Sequence, residues 1–384
     1  MVAVETNSIE LPVKLLFSDL GVDFFIKNKK PMNKFKMADN STQYGVAMKQ
    51  YNKNTVKHMI AIGYLSRIEI SRAEFTSKRK DILSLAKSNV FGFLVKRFDD
   101  AVYDKVIDSD LIKNWNRNNH GSILDRKTNI NEVVLKKILE KNKDVVNSVK
   151  ETLSLAVYRD LAGDKSLSEE EKSKQTKLCD EYLSNLRSFT WFVLSKFKDT
   201  PSYDEIVNDI SVILREYMSR NKISEYLSLM LMELLNSAEN KNLKLYMKKM
   251  YPTLAYSDIL EDPEARVGLL KEMQDKDEHF SVIFKFDKSE TKISARKKIE
   301  VAVFNKEAEV VLLKDKVDAQ MSSQVRKQSL TDFYRRSGGD GSDLGMYYLS
   351  YLGEECSKVG IRFETQVREI SGSLQSYISL SLSL

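Results

Sequence analysis

A polar stripe within an apolar helical segment is the part of this sequence best suited to chemistry. Glu233, Asn236, Ser237 and Asn240 are spaced three and four residues apart, so a helix would place them on one face. A buried carboxylate and amides need hydrogen-bonding partners or a bound cation, because an unpaired buried polar group costs roughly 1–3 kcal/mol. The alternative is that the stripe marks the solvent edge of a packed helix, and the stripe taken alone favours that alternative.

A glycine cluster near the C-terminal end is the second candidate. Gly338, Gly339, Gly341 and Gly345 are four of the fourteen glycines in the chain, and Arg335 lies just before them. Glycine lets the main chain approach a ligand closely, and N–H groups at a helix start can face an anion such as phosphate. The cluster predicts either a phosphate cradle of this kind or a flexible hinge between two elements.

The first 200 residues have the pattern of helices. Proline is nearly absent there, glycine is sparse, and apolar residues recur at spacings of three and four. Ser168 followed by Glu171 is a capping-box pattern that predicts a helix start. Pro201 predicts a helix end, since proline cannot continue a helix interior.

From about residue 200 the pattern changes to helices followed by strands. Helices are predicted at 203–219, 223–250 and 343–358. The predicted strands are 280–286, 299–304, 310–313, 361–367 and 374–384. In the last strand apolar residues alternate with serines, which predicts one buried and one exposed face. The chain therefore predicts an α+β fold, with an all-helical N-terminal region followed by a C-terminal two-layer α/β sandwich.

Charge and pattern together divide the chain into three parts. These are a basic helical domain at 1–150, a helical connector at 151–200 and the sandwich domain at 201–384. Residues 1–150 hold 27 Lys and Arg against 17 Asp and Glu, a net charge of +10, whereas the remainder has a net charge of −4. The basic half could contact nucleic acid, an acidic partner or the acidic half of the same chain.

Composition argues against several classes of protein. No apolar run approaches the roughly 18 residues of a membrane span, and the N-terminus lacks the pattern of a secretory signal. Cys179 and Cys356 alone cannot build a disulfide framework. The three histidines share no metal-ligand spacing, so no metal site with defined ligands is predicted. These features predict a reduced, cytoplasmic protein.

The order of these elements, together with two motifs, resembles a known architecture. Residues 233–238, Glu-Leu-Leu-Asn-Ser-Ala, and residues 333–346 are similar to the N box and the last glycine box of histidine-kinase-like (GHKL) ATPase domains. This group includes gyrase, Hsp90 and the anti-sigma-factor kinases, and the resemblance covers about residues 205–384. It implies that Glu233 acts as a base and that the residue four positions later holds Mg²⁺. It also implies nucleotide contacts by Asn236, Ser237, Asn240, Asn305, Arg335, Gly338, Gly339, Gly341 and Gly345.

The sequence departs from the family pattern at three of its four ligand features. Ser237 stands where the magnesium-binding asparagine is expected, and a hydroxyl is a weaker ligand than an amide carbonyl. Residues 304–308, Phe-Asn-Lys-Glu-Ala, replace the expected Asp-x-Gly-x-Gly box, although Asn305 could still hydrogen-bond an adenine. Asp343 replaces a glycine of the last box and adds a negative charge beside the phosphates. The resemblance thus implies a nucleotide site that is weakened or lost, and it leaves open both ATP or ADP with Mg²⁺ and no cofactor at all.

Three functions remain open. The first is a signalling or regulatory protein whose degenerate ATPase-like domain binds a protein partner with weak or no nucleotide turnover. The second is an active anti-sigma-factor-like serine/threonine kinase or ATPase that uses Glu233 as base. The third is a nucleic-acid-binding regulator, whose phosphate contacts would be Lys78, Arg79, Lys80, Lys96 and Arg97. Aromatic residues at 178–197 could also pair two copies of the chain, and packing within one chain explains them equally well.

Overall fold

The protein combines helices with one large antiparallel sheet, which confirms the predicted α+β class. The structure is a computed structural model, and it describes residues 8–95, 98–127, 131–164, 167–257, 262–291, 294–305, 344–369 and 376–384. No helix among these residues has both the length and the apolar character needed to cross a bilayer.

Eight of the ten strands in the described residues form one sheet, in the order β3-β4-β2-β6-β7-β8-β10-β9. Every pairing in it is antiparallel, and β1 and β5 form a separate two-stranded ladder. The strands are β1 (Ser8–Ile9), β2 (Val13–Phe17), β3 (Asn33–Lys36), β4 (Thr42–Met48), β5 (Tyr51–Asn52), β6 (Leu65–Arg72), β7 (Phe280–Thr291), β8 (Ser294–Asn305), β9 (Arg362–Glu369) and β10 (Ser376–Ser383).

Strands from both ends of the chain meet at β6 and β7. Arg67 pairs with Lys285 and Arg72 pairs with Phe280, with the residues between them in continuous register. The expectation that the first 200 residues are all helical is therefore corrected for residues 8–72, which contribute six strands. The alternation of Ile68 and Ile70 with charged and polar residues is the period-two signal of β6. The short helices α1 and α2 lie among these strands, and their helical spacing of apolar residues favoured the helical prediction.

The helices match the predictions more closely. The predicted capping box is confirmed, since Ser168 and Glu171 exchange side-chain and backbone hydrogen bonds. One helix of 48 residues replaces the two predicted at 203–219 and 223–250, and the predicted strand at 310–313 lies outside the described residues. The helices are α1 (Asp19–Lys27), α2 (Lys53–Ala61), α3 (Arg79–Leu94), α4 (Phe98–Ile107), α5 (Asp110–Asn118), α6 (Glu132–Lys141), α7 (Lys143–Gly163), α8 (Glu169–Ser184), α9 (Ser188–Lys196), α10 (Tyr203–Met250), α11 (Pro263–Asp275) and α12 (Leu344–Lys358), and a 3₁₀ helix (Thr76–Lys78) precedes α3.

The chain divides into two compact units. The first contains the sheet and comprises the described residues within 8–94, 222–305 and 344–384. The second comprises the described residues within Val95–Asn221 and is helical. The boundaries between the two units thus lie after Leu94 and after Asn221. The charge distribution and the residue pattern suggested boundaries at 150 and 200. The direct pairing of β6 with β7 is the physical reason that N- and C-terminal strands share one unit.

The last strand is buried on both faces. Leu380 and Leu382 are 2% and 0% exposed, and Ser379 and Ser381 are 1% and 3% exposed. The prediction that the serine face of this strand is exposed is therefore wrong. Alternation of serine with leucine predicts a strand but does not reveal what covers its faces, because the covering residues come from other parts of the chain.

Gly45 in β4 allows the main chain of β2 to approach closely. A Cβ added at this position would lie 2.2 Å from the carbonyl oxygen of Leu15 and 3.0 Å from Cα of Leu16. We expect Gly45→Ala to lower the free energy of unfolding by about 1–3 kcal/mol, because the two strands must move apart. Urea unfolding followed by circular dichroism measures this change.

The matched control is Gly268→Ala on α11, where an added Cβ meets nothing within 4 Å. Alanine favours a helix over glycine by about 1 kcal/mol, so this variant is expected to be as stable as the parent or more so. A G45A protein as stable as the parent would show that β2 and β4 do not require this close approach.

Candidate functional site

The predicted polar stripe of α10 faces the start of α3. Oε1 of Glu233 lies 3.4 Å from Nη2 of Arg79, which makes an ion pair. Oδ1 of Asn236 accepts a hydrogen bond from the hydroxyl of Thr76 at 3.5 Å. Ser237, the next residue, is half-buried on the same helix. The stripe therefore faces other parts of the first unit, with Arg79 at its more exposed edge.

Glu239, which the sequence analysis did not single out, lies at the centre of this cluster. Its side chain is fully buried. Oε2 accepts hydrogen bonds from the backbone N–H groups of Phe75 at 2.8 Å and Thr76 at 3.1 Å, and from the Thr76 hydroxyl at 3.1 Å. Oε1 accepts a hydrogen bond from Nη2 of Arg266 at 2.6 Å. Helical spacing could have revealed Glu239 as part of the polar stripe, because it follows Asn236 by three residues.

This buried carboxylate acts as a helix cap supplied by a different helix. Phe75 and Thr76 begin the helical segment that continues into α3. The first N–H groups of a helix have no partner within the helix, and a carboxylate satisfies them while opposing the positive end of the helix dipole. Glu239 does both, and the charge of Arg266 balances its own.

Asn240 is also engaged by neighbouring elements. Its Oδ1 accepts a hydrogen bond from Nη2 of Arg266 at 2.8 Å, and its carbonyl oxygen accepts one from the hydroxyl of Tyr256 at 3.2 Å. Arg266 on α11 thus holds Glu239 and Asn240 together. The side chain that resemblance assigned to a nucleotide is held by the protein's own arginine.

Two carboxylates cover the start of the helical segment at 76–94. Besides Glu239, Glu74 accepts hydrogen bonds from the backbone N–H of Ser77 and, at 2.6 Å, from its hydroxyl. Backbone N–H groups at a helix start commonly bind phosphate. Here the protein's own carboxylates accept from those donors, so a phosphate would meet two negative charges at this position.

Asn305, the predicted adenine contact, lies close in the fold to the same region. It ends β8 and is 2% exposed. Ser281 pairs with Phe304, so Asn305 lies beside Phe280 at the start of β7. The ring of Phe280 packs on that of Phe75, with centroids 4.8 Å apart, and the N–H of Phe75 donates to Glu239. The predicted adenine contact therefore lies near Glu239, the residue that directly follows the predicted N box.

The remaining predicted site residues are only partly described. Gly345 is the second residue of α12, which begins one residue later than predicted. Arg335, Gly338, Gly339 and Gly341 lie outside the described residues. Within the described part of the chain, no group of three or more His, Cys, Asp or Glu residues could hold a metal ion.

Three of the five predicted phosphate contacts to nucleic acid lie at the start of α3 or directly before it. Lys78 ends the 3₁₀ helix, and Arg79 and Lys80 begin α3. Arg79 is paired with Glu233, which reduces its net attraction for a phosphate backbone. Lys96 and Arg97 lie outside the described residues.

Removal of the Glu239 carboxylate provides a direct test of its structural role. We expect Glu239→Ala to lower the free energy of unfolding by about 3–5 kcal/mol, because it leaves the charge of Arg266 and two backbone N–H groups without their partner. Urea unfolding followed by circular dichroism measures the loss. Cys356 gives a second readout, since it is 1% exposed and burial raises the pKa of its thiol to about 12. Its alkylation in mild denaturant should be faster in the variant.

The control is Glu233→Ala, which removes a carboxylate from the same helix. Because Arg79 is 38% exposed, this ion pair is screened by water and its loss should cost at most about 1 kcal/mol. Equal losses of stability in the two variants would contradict the central role given to Glu239.

Comparison with known proteins places the chain in a family. Residues 4–384 match a family of unknown function, DUF8084. An uncharacterized protein of Treponema pallidum (strain Nichols) is similar, with 29% identity over 377 residues that cover 97% of this chain and 97% of that protein. No solved structure matches the chain. Since the family match extends over nearly the whole sequence, the protein belongs to the DUF8084 family.

Proposed function

We propose that the protein is a cytoplasmic regulatory protein that acts by binding a partner protein. In this proposal residues 201–384 form a scaffold similar to a histidine-kinase-like ATPase domain, and nucleotide turnover there is weak or lost. The observation that carries the proposal is that the polar stripe of α10 is engaged in contacts within the first unit.

The ion pair of Glu233 argues against a role as general base. A general base must present an oxygen to the proton that it removes, within hydrogen-bond reach of the reacting group. Oε1 of Glu233 instead faces Nη2 of Arg79 at 3.4 Å. The neighbouring position for a magnesium ligand is Ser237, whose neutral hydroxyl is a poor substitute for an amide or carboxylate oxygen.

The electrostatics of the adjacent helix start argue against phosphate binding at that position. Glu74 and Glu239 accept the hydrogen bonds of the first N–H groups. A phosphate about 4 Å from either carboxylate would be repelled by roughly 1–4 kcal/mol per charge pair at effective dielectric constants of 80 to 20. A phosphate could bind at this helix start only if these contacts broke first.

Two features support the scaffold itself. Within residues 201–384, helices α10, α11 and α12 occur together with the antiparallel strands β7 to β10, as the resemblance implies. The positions from Asn305 through Phe280 and Phe75 lead to Glu239, the residue that follows the expected N box. A scaffold of this kind, with its polar groups used for packing, is better suited to binding than to catalysis.

Nucleotide turnover is the quantity that tests this proposal. We expect the full chain to release phosphate from Mg·ATP no faster than buffer does, and Glu233→Ala to leave that rate unchanged, because Glu233 has no catalytic role. A coupled phosphate-release assay measures both, alongside isothermal titration with Mg·ATP and Mg·ADP.

The partner-binding part needs its own measurement. The tagged full chain, purified from the cells that produce it, should carry a protein in stoichiometric amount, and E233A should carry the same one. Magnesium-dependent turnover that E233A abolishes would instead favour the kinase or ATPase alternative. Absence of any stoichiometric partner would contradict the regulatory role.

A further inference from the structure

The eight-stranded sheet of the first unit ends at β3 on one side and at β9 on the other. Within the described residues β9 pairs only with β10, over its whole length from Arg362 to Glu369. Every second residue of an edge strand directs its N–H and C=O groups away from the sheet, where another strand can pair with them. The outer edge of β9 therefore offers a row of backbone donors and acceptors to a second chain.

The two edges differ in how well they are protected against such pairing. β3 has only four residues, and its Lys34 and Lys36 are exposed. Short length and lysine side chains are features that keep an edge strand from pairing with another chain. β9 is eight residues long and contains neither lysine nor proline. The edge at β9 thus lacks the safeguards that are present at β3.

The residues of β9 alternate between a polar and a less polar face of the sheet. On the less polar face Phe363, Thr365 and Val367 are half-buried. A strand that pairs along β9 must match both faces, because directly opposite residues of an antiparallel pair place their side chains on the same face. The polar face holds four side chains that contact solvent: Arg362, Glu364, Gln366 and Arg368.

The charged side chains of this polar face are oriented within the single chain. Nη2 of Arg362 lies 2.6 Å from Oε1 of Glu364. The guanidinium carbon of Arg368 lies 4.7 Å from the centroid of the Tyr377 ring, which is directly opposite it on β10. Stacking on a ring occupies the flat face of a guanidinium and leaves its N–H edge for a carboxylate. Arg368 is therefore held in a position from which it can pair with an acidic residue on a neighbouring strand.

The sequence of β9 is complementary to itself in one antiparallel register. A two-fold axis perpendicular to the sheet would leave each face of the sheet on its own side. With this axis at Gln366, Glu364 of each copy lies opposite Arg368 of the other. An axis at Thr365 would instead place Arg362 opposite Arg368, and an axis at Glu364 would place two glutamates opposite each other. Since like charges directly opposite destabilise a strand pair, the register centred on Gln366 is the favoured one of the three.

We propose that β9 pairs with β9 of a second copy of this chain, antiparallel and with Gln366 on the two-fold axis, so that the two sheets become continuous. Two ion pairs between Glu364 and Arg368 flank the axis on the polar face. On the other face Thr365 lies opposite Val367. The interface does not depend on nucleotide binding, and it differs from the helical pairing surface that the aromatic residues at 178–197 suggest.

Exchange of the two charges tests this register in the full chain. We expect the parent to shift from monomer to dimer as its concentration rises, as measured by sedimentation velocity. Glu364→Arg and Arg368→Glu should each raise the dissociation constant of the dimer about tenfold or more, because each places two pairs of like charges opposite one another. The double variant E364R/R368E restores opposite charges, and its dissociation constant should return to within a few-fold of the parent value.

A cysteine on the axis tests the geometry independently. Gln366→Cys places a thiol opposite its own copy, where Cα atoms are about 4.5–5.5 Å apart in an antiparallel pair, a separation that a disulfide can span. Oxidised glutathione should therefore convert Q366C to a covalent dimer, seen on a non-reducing gel. The natural Cys179 and Cys356 are buried. Lys34→Cys on β3 is the control, since it also exposes a thiol at a sheet edge and should cross-link far more slowly.

Four results would overturn the proposal. The parent chain could remain monomeric at every concentration. A dimer that E364R and R368E leave unchanged would lie elsewhere, for example at the helices of residues 178–197. Failure of E364R/R368E to recover the dimer, with circular dichroism showing a folded chain, would reject the register. Equal cross-linking of K34C and Q366C would reject β9 as the specific contact.

Discussion

The buried carboxylate of Glu239 is the interaction on which the first unit depends most. It connects α10 to the start of the helical segment at 76–94 through Phe75 and Thr76, and to α11 through Arg266. A charge without solvent contact is tolerated only when it is paired and fully hydrogen-bonded, and here both oxygens have partners. Three elements distant in sequence are fixed relative to one another by a single side chain.

The sequence predicted several elements from residue 169 onward well and the N-terminal strands poorly. The helices around residues 169–184 and 344–358 and the strands near 280, 300, 362 and 376 all carry periodicities that match their final environment. The strands at 8–72 are short and lie between helices, so local patterns could not show that β6 would pair with β7, more than 200 residues later in the chain. The polar stripe of α10 was identified correctly as a polar face. Its partners Arg79, Thr76 and Arg266 could not be predicted, since they depend on tertiary packing.

Helix α10 thus contains polar groups in two different situations. From Glu233 to Asn240 the polar atoms that could have met a ligand meet protein instead. Two residues beyond Asn240, on the opposite side of the helix, the buried amide nitrogen of Asn242 has no such partner among the described residues. The first group is paired because Thr76 and Arg79 at the start of the helical segment 76–94, together with Arg266 of α11, supply donors to it. Polar composition alone does not separate structural from ligand-binding positions on a helix.

The pairing of β6 with β7 has a consequence for synthesis on the ribosome. One edge of β6 has no strand beside it until residues 280–285 emerge, which at 5–20 residues per second takes about ten seconds or more. Throughout that interval a nascent strand with an open edge could pair with another nascent chain instead. Slow closure over so long a loop also makes the sheet a late step in folding. Molecular chaperones that shield this N-terminal strand during translation would therefore raise the yield of active protein.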